Sequence, residues 1–191
     1  MRSLALVLSL MLLGIVNVHA ENSDQQAFEQ DAKAAIKELA TQLKSSLLAA
    51  MKEGGPVEAV SVCKLIAPSL ADEISQKYGL EIGRTSLKVR NHANEADAWE
   101  TDVLQRFEVR LAAGEPIQKL TFSEKVGTGS DAQWRMMKAI PTDKLCLTCH
   151  GEKIPESIQV AIDQYYPDDM ATGFKLGDIR GAFTVKRSVT D

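Results

Sequence analysis

The chain has 191 residues, of which 45% are hydrophobic and 25% are charged, and its formal net charge is −4 at pH 7. This apolar content is enough to bury the core of one domain, so the composition excludes an intrinsically disordered protein. Three cysteines cannot build the disulfide framework of a small secreted scaffold, and an acidic chain without a basic cluster is not typical of a nucleic-acid-binding protein.

The N-terminus has the organisation of a secretory signal peptide. Arg2 is followed by an apolar run from Leu4 to Val16, and Val18-His19-Ala20 has the small residues of a cleavage site. The run is shorter than the roughly 20 residues of a membrane span, although an uncleaved anchor is the alternative. We predict that residues 1–20 are a signal peptide cleaved after Ala20. The mature protein is then exported to a bacterial periplasm without a stable membrane span.

Two helices are predicted at the start of the mature chain. From Glu21 to Glu53, apolar residues recur every three or four positions, and Gly54-Gly55-Pro56 ends the pattern. A second helical stretch runs from Val57 to Tyr78, and Pro68 predicts a kink or a restart within it. The first helix can mediate pairing of two chains or docking of a partner.

Short extended segments and further helices follow. Alternating apolar residues and turn-forming glycines predict strands that pair in an antiparallel sheet. The predicted strands lie at 80–89, 117–122, 133–140 and 181–188, and the predicted helices at 98–113 and 155–165. The fold class is therefore α+β: an antiparallel sheet flanked by helices, in one domain over residues 56–191, preceded by an N-terminal helix over residues 21–55.

One motif carries recognisable chemistry. Cys146-Leu147-Thr148-Cys149-His150 is C-x-x-C-H, the attachment pattern of c-type haem. Two thiols at this spacing can each form a thioether with one haem vinyl group, and the adjacent His supplies the proximal nitrogen to iron. We predict one covalent haem c. A zinc site usually needs a second C-x-x-C or His pair, which the sequence lacks. A thioredoxin-like redox pair needs a strand just before Cys146, where residues 141–144 indicate a turn.

The second axial ligand of such a haem is less clear from the sequence. Cys63 has no disulfide partner once the other two cysteines carry haem. It lies on the apolar face of its helix, where it is either an inert core thiol or an iron ligand as thiolate. His92 lies in a polar loop and is either a ligand or a solvent-facing side chain. The methionines are further candidates, and only one of the adjacent pair can face the core: Met51, Met136, Met137 and Met170.

The segment 84–100 is rich in side chains that make directional hydrogen bonds. Its cations can bind haem propionates, and its Asn and Asp residues can hold a loop and cap the following helix. Its Trp can cover a haem edge or pack in the core. These residues are Arg84, Lys88 and Arg90, then Asn91, Asn94 and Asp97, and finally Trp99.

Three stretches together resemble a family of exported c-haem domains with a PAS-like fold, which occur alone or as the sensing part of bacterial signalling proteins. They are Cys63-x-x-x-Ala67-Pro68, then Arg84-x-Ser86-x-x-x-Arg90-Asn91-x-x-Asn94-x-x-Asp97-x-Trp99-Glu100, and Cys146-x-x-Cys149-His150-Gly151 with Tyr165 and Gly177-Asp178-Ile179-Arg180-Gly181-Ala182. The resemblance implies axial ligation by His150 and Cys63. The family's usual Arg-Asn-Pro reads Arg90-Asn91-His92 here, which introduces a competing ligand.

These features favour a periplasmic monohaem protein that senses redox state or a small gas and signals to a separate protein partner. A thiolate that dissociates on reduction or protonation would make the ligand change a signal. Because a six-coordinate iron leaves no open position, we do not expect an enzyme. The alternative is a monohaem cytochrome that carries electrons between periplasmic partners. A peroxidase-like enzyme would need an open distal position with His92 as its acid–base residue.

Overall fold

The computed structural model describes residues 22–189 with their side chains and begins its first helix at Ser3. The side chains of the predicted signal peptide, residues 1–20, lie outside the described residues. Within residues 22–189, no helix combines the length and the apolar character that crossing a membrane requires.

The first helix, α1 (Ser3–Leu65), contains one break. Gly55 has φ 74° and ψ −167°, a conformation that glycine adopts readily and other residues do not. The predicted stop is therefore a kink, and the two parts of α1 fold back until Ala50 and Ala59 share a small core. α2 (Ala67–Tyr78) starts anew with Pro68 in its first turn, where a missing N–H costs nothing. This confirms the predicted restart.

Four strands form one antiparallel sheet in the order β1-β4-β3-β2. Three further helices flank the sheet or carry the loops beside it. The strands are β1 (Glu81–Thr85), β2 (Thr121–Val126), β3 (Gln133–Pro141) and β4 (Ile179–Ser188), and the helices are α3 (Ala98–Ala112), α4 (Leu147–His150) and α5 (Glu156–Tyr165). The α+β class, with a long N-terminal helix and an antiparallel sheet flanked by helices, is confirmed.

Two predicted strands differ from the observed ones by more than two residues at one or both ends. β1 ends at Thr85 instead of residue 89, because Ser86 leaves the strand pairing. The Ser86 hydroxyl donates to the Arg180 carbonyl, and the Ser86 N–H donates to the Asn94 carbonyl. The segment predicted as a strand over 117–122 begins as a 3-10 turn, Ile117–Lys119. Its buried residues Ile117 and Leu120 are three apart, which suits such a turn better than a strand.

Both faces of the sheet are covered. The faces are packed by α1 and α2 on one side and by α3 on the other. Met136 therefore lies in the α1 core and Met137 in the α3 core, and both are fully buried. The prediction that only one of the two faces the core was wrong, because it assumed a sheet with one solvated face. The apolar stripe of α1 from Phe28 to Leu39 is used within the chain's own core.

Gly181 is a position where the fold tolerates no side chain. It has φ 154°, and a Cβ there would collide with the Thr85 carbonyl oxygen. Gly181→Ala should lower the free energy of unfolding by about 3 kcal/mol, measured by denaturant unfolding. The matched control is Gly83→Ala, whose Cβ would have Thr184 as its nearest neighbour at 3.9 Å. Equal losses of stability in the two variants would contradict the prediction.

Candidate functional site

The C-x-x-C-H motif is wound into one helical turn. The His150 N–H donates to the Cys146 carbonyl at 2.9 Å, and the Cys146 N–H donates to the Asp143 carbonyl at 3.0 Å. Cys146 and Cys149 are free thiols of intermediate exposure. Two thiols and one imidazole are therefore presented within a single turn, with neither thiol consumed by a disulfide.

The His150 imidazole has a defined orientation. Its Nδ1 lies 2.7 Å from the Ala171 carbonyl oxygen, and since a carbonyl can only accept, Nδ1 carries the proton. Burial, followed by the positive charges of Arg180 and Arg90, holds the pKa of His150 well below its usual range. The ring is therefore neutral at pH 7, and Nε2 retains the lone pair that a metal ligand needs.

A second segment, residues 169–174, lies alongside the motif. The Gly173 N–H donates to the Gly151 carbonyl and the Phe174 N–H donates to the His150 carbonyl, both at 3.0 Å. The Phe174 ring meets the imidazole edge-on, with centroids 6.3 Å apart. These contacts hold the Ala171 carbonyl next to the His150 imidazole, which it orients.

Three arginines surround the motif. The charges of Arg84, Arg90 and Arg180 all act on His150. Burial, followed by the charges of Arg90 and Arg84, lowers the pKa of Arg180 to about 10. Arg90 pairs with Asp169 at 2.9 Å, whereas Arg180 donates to the Ser86 hydroxyl and the Lys88 carbonyl. Three cations facing one paired carboxylate leave an excess of positive charge, which suits an anionic ligand.

Sequence reasoning did not assign Arg180. The segment Gly177-Asp178-Ile179-Arg180-Gly181-Ala182 contributes only to the family resemblance, and nothing in its spacing points to Arg84. β1 pairs with β4 with Thr85 opposite Ala182, and this pairing brings Arg180 to the end of β1. The pairing of β1 with β4 is therefore the feature that identifies Arg180 as part of the site.

The fold brings Cys63 towards the same motif. The part of α1 after the kink packs on α5, so that Val60 shares a cluster with Ile162, Tyr166 and Cys149. Cys63 is three residues after Val60 and therefore on the same side of the helix. Burial raises the pKa of Cys149, with smaller effects from Arg90, which lowers it, and from Cys63 when ionised, which raises it. Burial, followed by Cys63 when ionised, raises the pKa of Tyr166 to about 12.

The alternative axial ligands are exposed or lie in the core: Met136 and Met137 are fully buried in the two sheet cores. His92 is exposed, and its Nδ1 lies 2.5 Å from Glu95. Met51 packs beside the kink of α1, and Met170 is exposed. Among residues 22–189, no group of three or more His, Cys, Asp or Glu side chains is arranged to hold a metal ion.

Asn91 and Trp99 have contacts of their own. The Asn91 side-chain oxygen accepts from the Ala93 N–H at 3.1 Å and caps the 3-10 turn His92–Asn94. The Trp99 indole donates to Glu124 at 2.6 Å and packs in the α3 core under the Arg135 guanidinium, 4.3 Å from the ring. The structure thus gathers Cys146, Cys149, His150, Cys63, Arg84 and Arg90 into one region and uses Asn91 and Trp99 in other contacts.

Comparison with known proteins gives two matches. The family model described as Tll0287-like: Tll0287 matches residues 18–188. The crystal structure of the cyanobacterial heme-protein Tll0287 is similar in fold, with a TM-score of 0.56 and 23% sequence identity. That match covers 82% of this chain and 94% of the cyanobacterial chain. No curated protein matches.

Proposed function

The chain belongs to the Tll0287-like family, and we propose that it is a periplasmic monohaem c-type protein in which the haem senses redox state or a small gas. The similar cyanobacterial protein is described as a heme-protein. The observation that carries the proposal is the motif itself: two free thiols within one turn of a neutral imidazole whose Nδ1 is already bonded. This donor set fits a covalently attached haem.

The roles follow from the chemistry of each group. Cys146 and Cys149 form the thioethers, and the free Nε2 of His150 is the proximal ligand. Arg84 and Arg180 offer guanidinium groups to the propionates, because neither forms an ion pair with any residue between 22 and 189. When bound, the haem supplies an iron that exchanges one electron between its ferric and ferrous states.

Cys63 supplies the other axial ligand in this proposal. Its support is the packing of α1 on α5 beside Cys149 and the place of Cys63 on the side of α1 that carries Val60. A thiolate stabilises ferric iron and binds ferrous iron less tightly, so that reduction favours its dissociation. A change of ligand with oxidation state is what a sensor requires.

The remaining parts of the proposal follow from this chemistry. Export with removal of residues 1–20 puts the chain where c-type haem is attached. Because Cys63 and His150 would fill both iron positions of the ferric haem, we expect no enzyme activity and propose that the protein acts through a separate signalling or redox partner. The resemblance to PAS-like sensory domains supports the same role for the antiparallel sheet with its flanking helices.

An electron carrier is the second candidate. The intermediate exposure of Cys146 and Cys149 supports it, because thioethers at the surface place one haem edge near solvent. The two functions differ in one property. A carrier keeps its ligands in both oxidation states, whereas the sensor exchanges one of them.

Absorption spectra of both oxidation states, recorded with and without carbon monoxide, test the proposal. We expect a six-coordinate ferric spectrum, and a ferrous protein that binds carbon monoxide rapidly because Cys63 has dissociated. A ferrous protein that keeps its ligands and excludes carbon monoxide would favour the electron carrier. A purified protein without covalent haem would overturn both functions.

A further inference from the structure

Arg90 lies where the C-x-x-C-H turn meets the segment 169–171. We propose that Arg90 and Asp169 act as a pair that positions His150, working through the Ala171 carbonyl. The inference rests on the proposed function, since it concerns the haem ligand that the motif supplies.

One nitrogen of the Arg90 guanidinium contacts protein acceptors, while its Nε is buried and has no hydrogen-bond partner among residues 22–189. The Arg90 Nη2 donates to the Cys149 carbonyl at 2.5 Å and to Asp169 Oδ2 at 2.9 Å, and it lies 3.5 Å from the Ala171 carbonyl. The Arg90 and Asp169 side chains are only 8% and 4% exposed. One nitrogen thus links the backbone of the motif to the segment that orients its histidine.

Asp169 completes the link with its second oxygen. Oδ1 accepts from the Ala171 N–H at 2.8 Å, so that the carboxylate fixes the residue whose carbonyl accepts from His150 Nδ1. The Met170 N–H donates to the Val89 carbonyl at 2.9 Å, which anchors the same segment next to Arg90. The contacts therefore run without interruption from Arg90 through Asp169 and Ala171 to His150.

This arrangement has two consequences for the histidine. The hydrogen bond at Nδ1 sets the ring orientation and the donor strength of Nε2. Arg90 also lies close to the Ala171 carbonyl, and its positive charge disfavours the ferric state, while the charge of Asp169 favours it. Losing Arg90 should therefore disturb the geometry of His150 and lower the haem reduction potential, whereas losing the charge of Asp169 should raise the potential.

Arg84 provides a matched control. Its charge also acts on His150, but its side chain forms no hydrogen bond or ion pair within residues 22–189. Arg84→Gln therefore removes a nearby positive charge and a proposed propionate partner, but leaves the contacts of Arg90 with Cys149, Asp169 and Ala171 in place. Arg90→Lys is a second control, because it keeps the charge and loses the planar guanidinium.

The test uses the purified haem-loaded protein, with covalent haem first verified by intact mass. The ferric electron paramagnetic resonance g-values report ligand geometry, and a redox titration reports the potential. We expect Arg90→Gln to shift the g-values and to change the ferric-to-ferrous ratio at a fixed potential about tenfold, or about 59 mV for one electron. Asp169→Asn should move the potential in the opposite direction. Arg90→Lys should restore the potential in part but not the g-values.

The result that overturns the inference is an Arg90→Gln protein whose g-values are unchanged and whose potential shifts no more than in Arg84→Gln. If Arg90→Gln does not fold because it leaves a buried carboxylate unpaired, the double variant Arg90→Gln/Asp169→Asn removes both charges and must still shift the g-values. A wild-type protein without covalent haem would instead refute the proposed function, before any variant is compared.

Discussion

Replacing Cys146 and Cys149 together by alanine should abolish covalent haem attachment completely. Both thiols are free and of intermediate exposure, and the only side-chain hydrogen bond of either within residues 22–189 is a weak one from the Asp143 N–H to the Cys146 sulfur at 3.4 Å. The fold should therefore survive the substitutions. Intact mass under denaturing conditions measures the effect in protein from a strain with a working haem-attachment pathway. The wild-type chain should exceed its polypeptide mass by one haem, and the double variant should not.

Two controls define what this result means. Each single variant should keep one thioether or mature poorly. Cys63→Ala should retain the full covalent haem, because Cys63 is not part of the motif. A wild-type mass without haem would refute the assignment of the motif. Covalent haem in the double variant would require an attachment site other than Cys146 and Cys149.

Cys63→Ser should change the electronic state of the haem without releasing it. Because a hydroxyl cannot replace a thiolate as an anionic sulfur ligand, the thiolate-to-iron charge-transfer band of the ferric protein should disappear. The reduction potential should rise by on the order of 100 mV or more, since axial ligands set haem potentials over about 0.8 V. Near-infrared absorption and redox titration measure these changes, and the covalent haem should remain on Cys146 and Cys149.

His92→Ala is the comparison variant. His92 is exposed and bonded to Glu95, so its loss should leave the ferric spectrum unchanged. The opposite pattern, an unchanged Cys63→Ser spectrum and an altered His92→Ala spectrum, would indicate ligation by two histidines. The electron carrier would then be the better assignment.

Local sequence signals predicted most of the secondary structure. Asn94 and Asp97 are both candidate caps of α3, and the structure uses Asp97, which forms a reciprocal capping box with Glu100. The breaks at Gly55 and Pro68 follow from single-residue backbone preferences. The misjudged features depend on partners remote in the chain. β1 is short because Ser86 bonds to Arg180, and Met136 and Met137 are both buried because helices cover both faces of the sheet.

The sequence by itself determined the chemistry of the C-x-x-C-H motif, because five consecutive residues contain both thiols and the imidazole. Only the tertiary structure decided three features. The part of α1 that carries Cys63 packs on α5, Arg180 comes to the end of β1, and Arg90 contacts Cys149 and Asp169. Each of these contacts joins residues far apart in the chain and depends on strand pairing or helix packing. Such pairings arise from burial of whole elements, and the spacing of residues along one segment does not encode them.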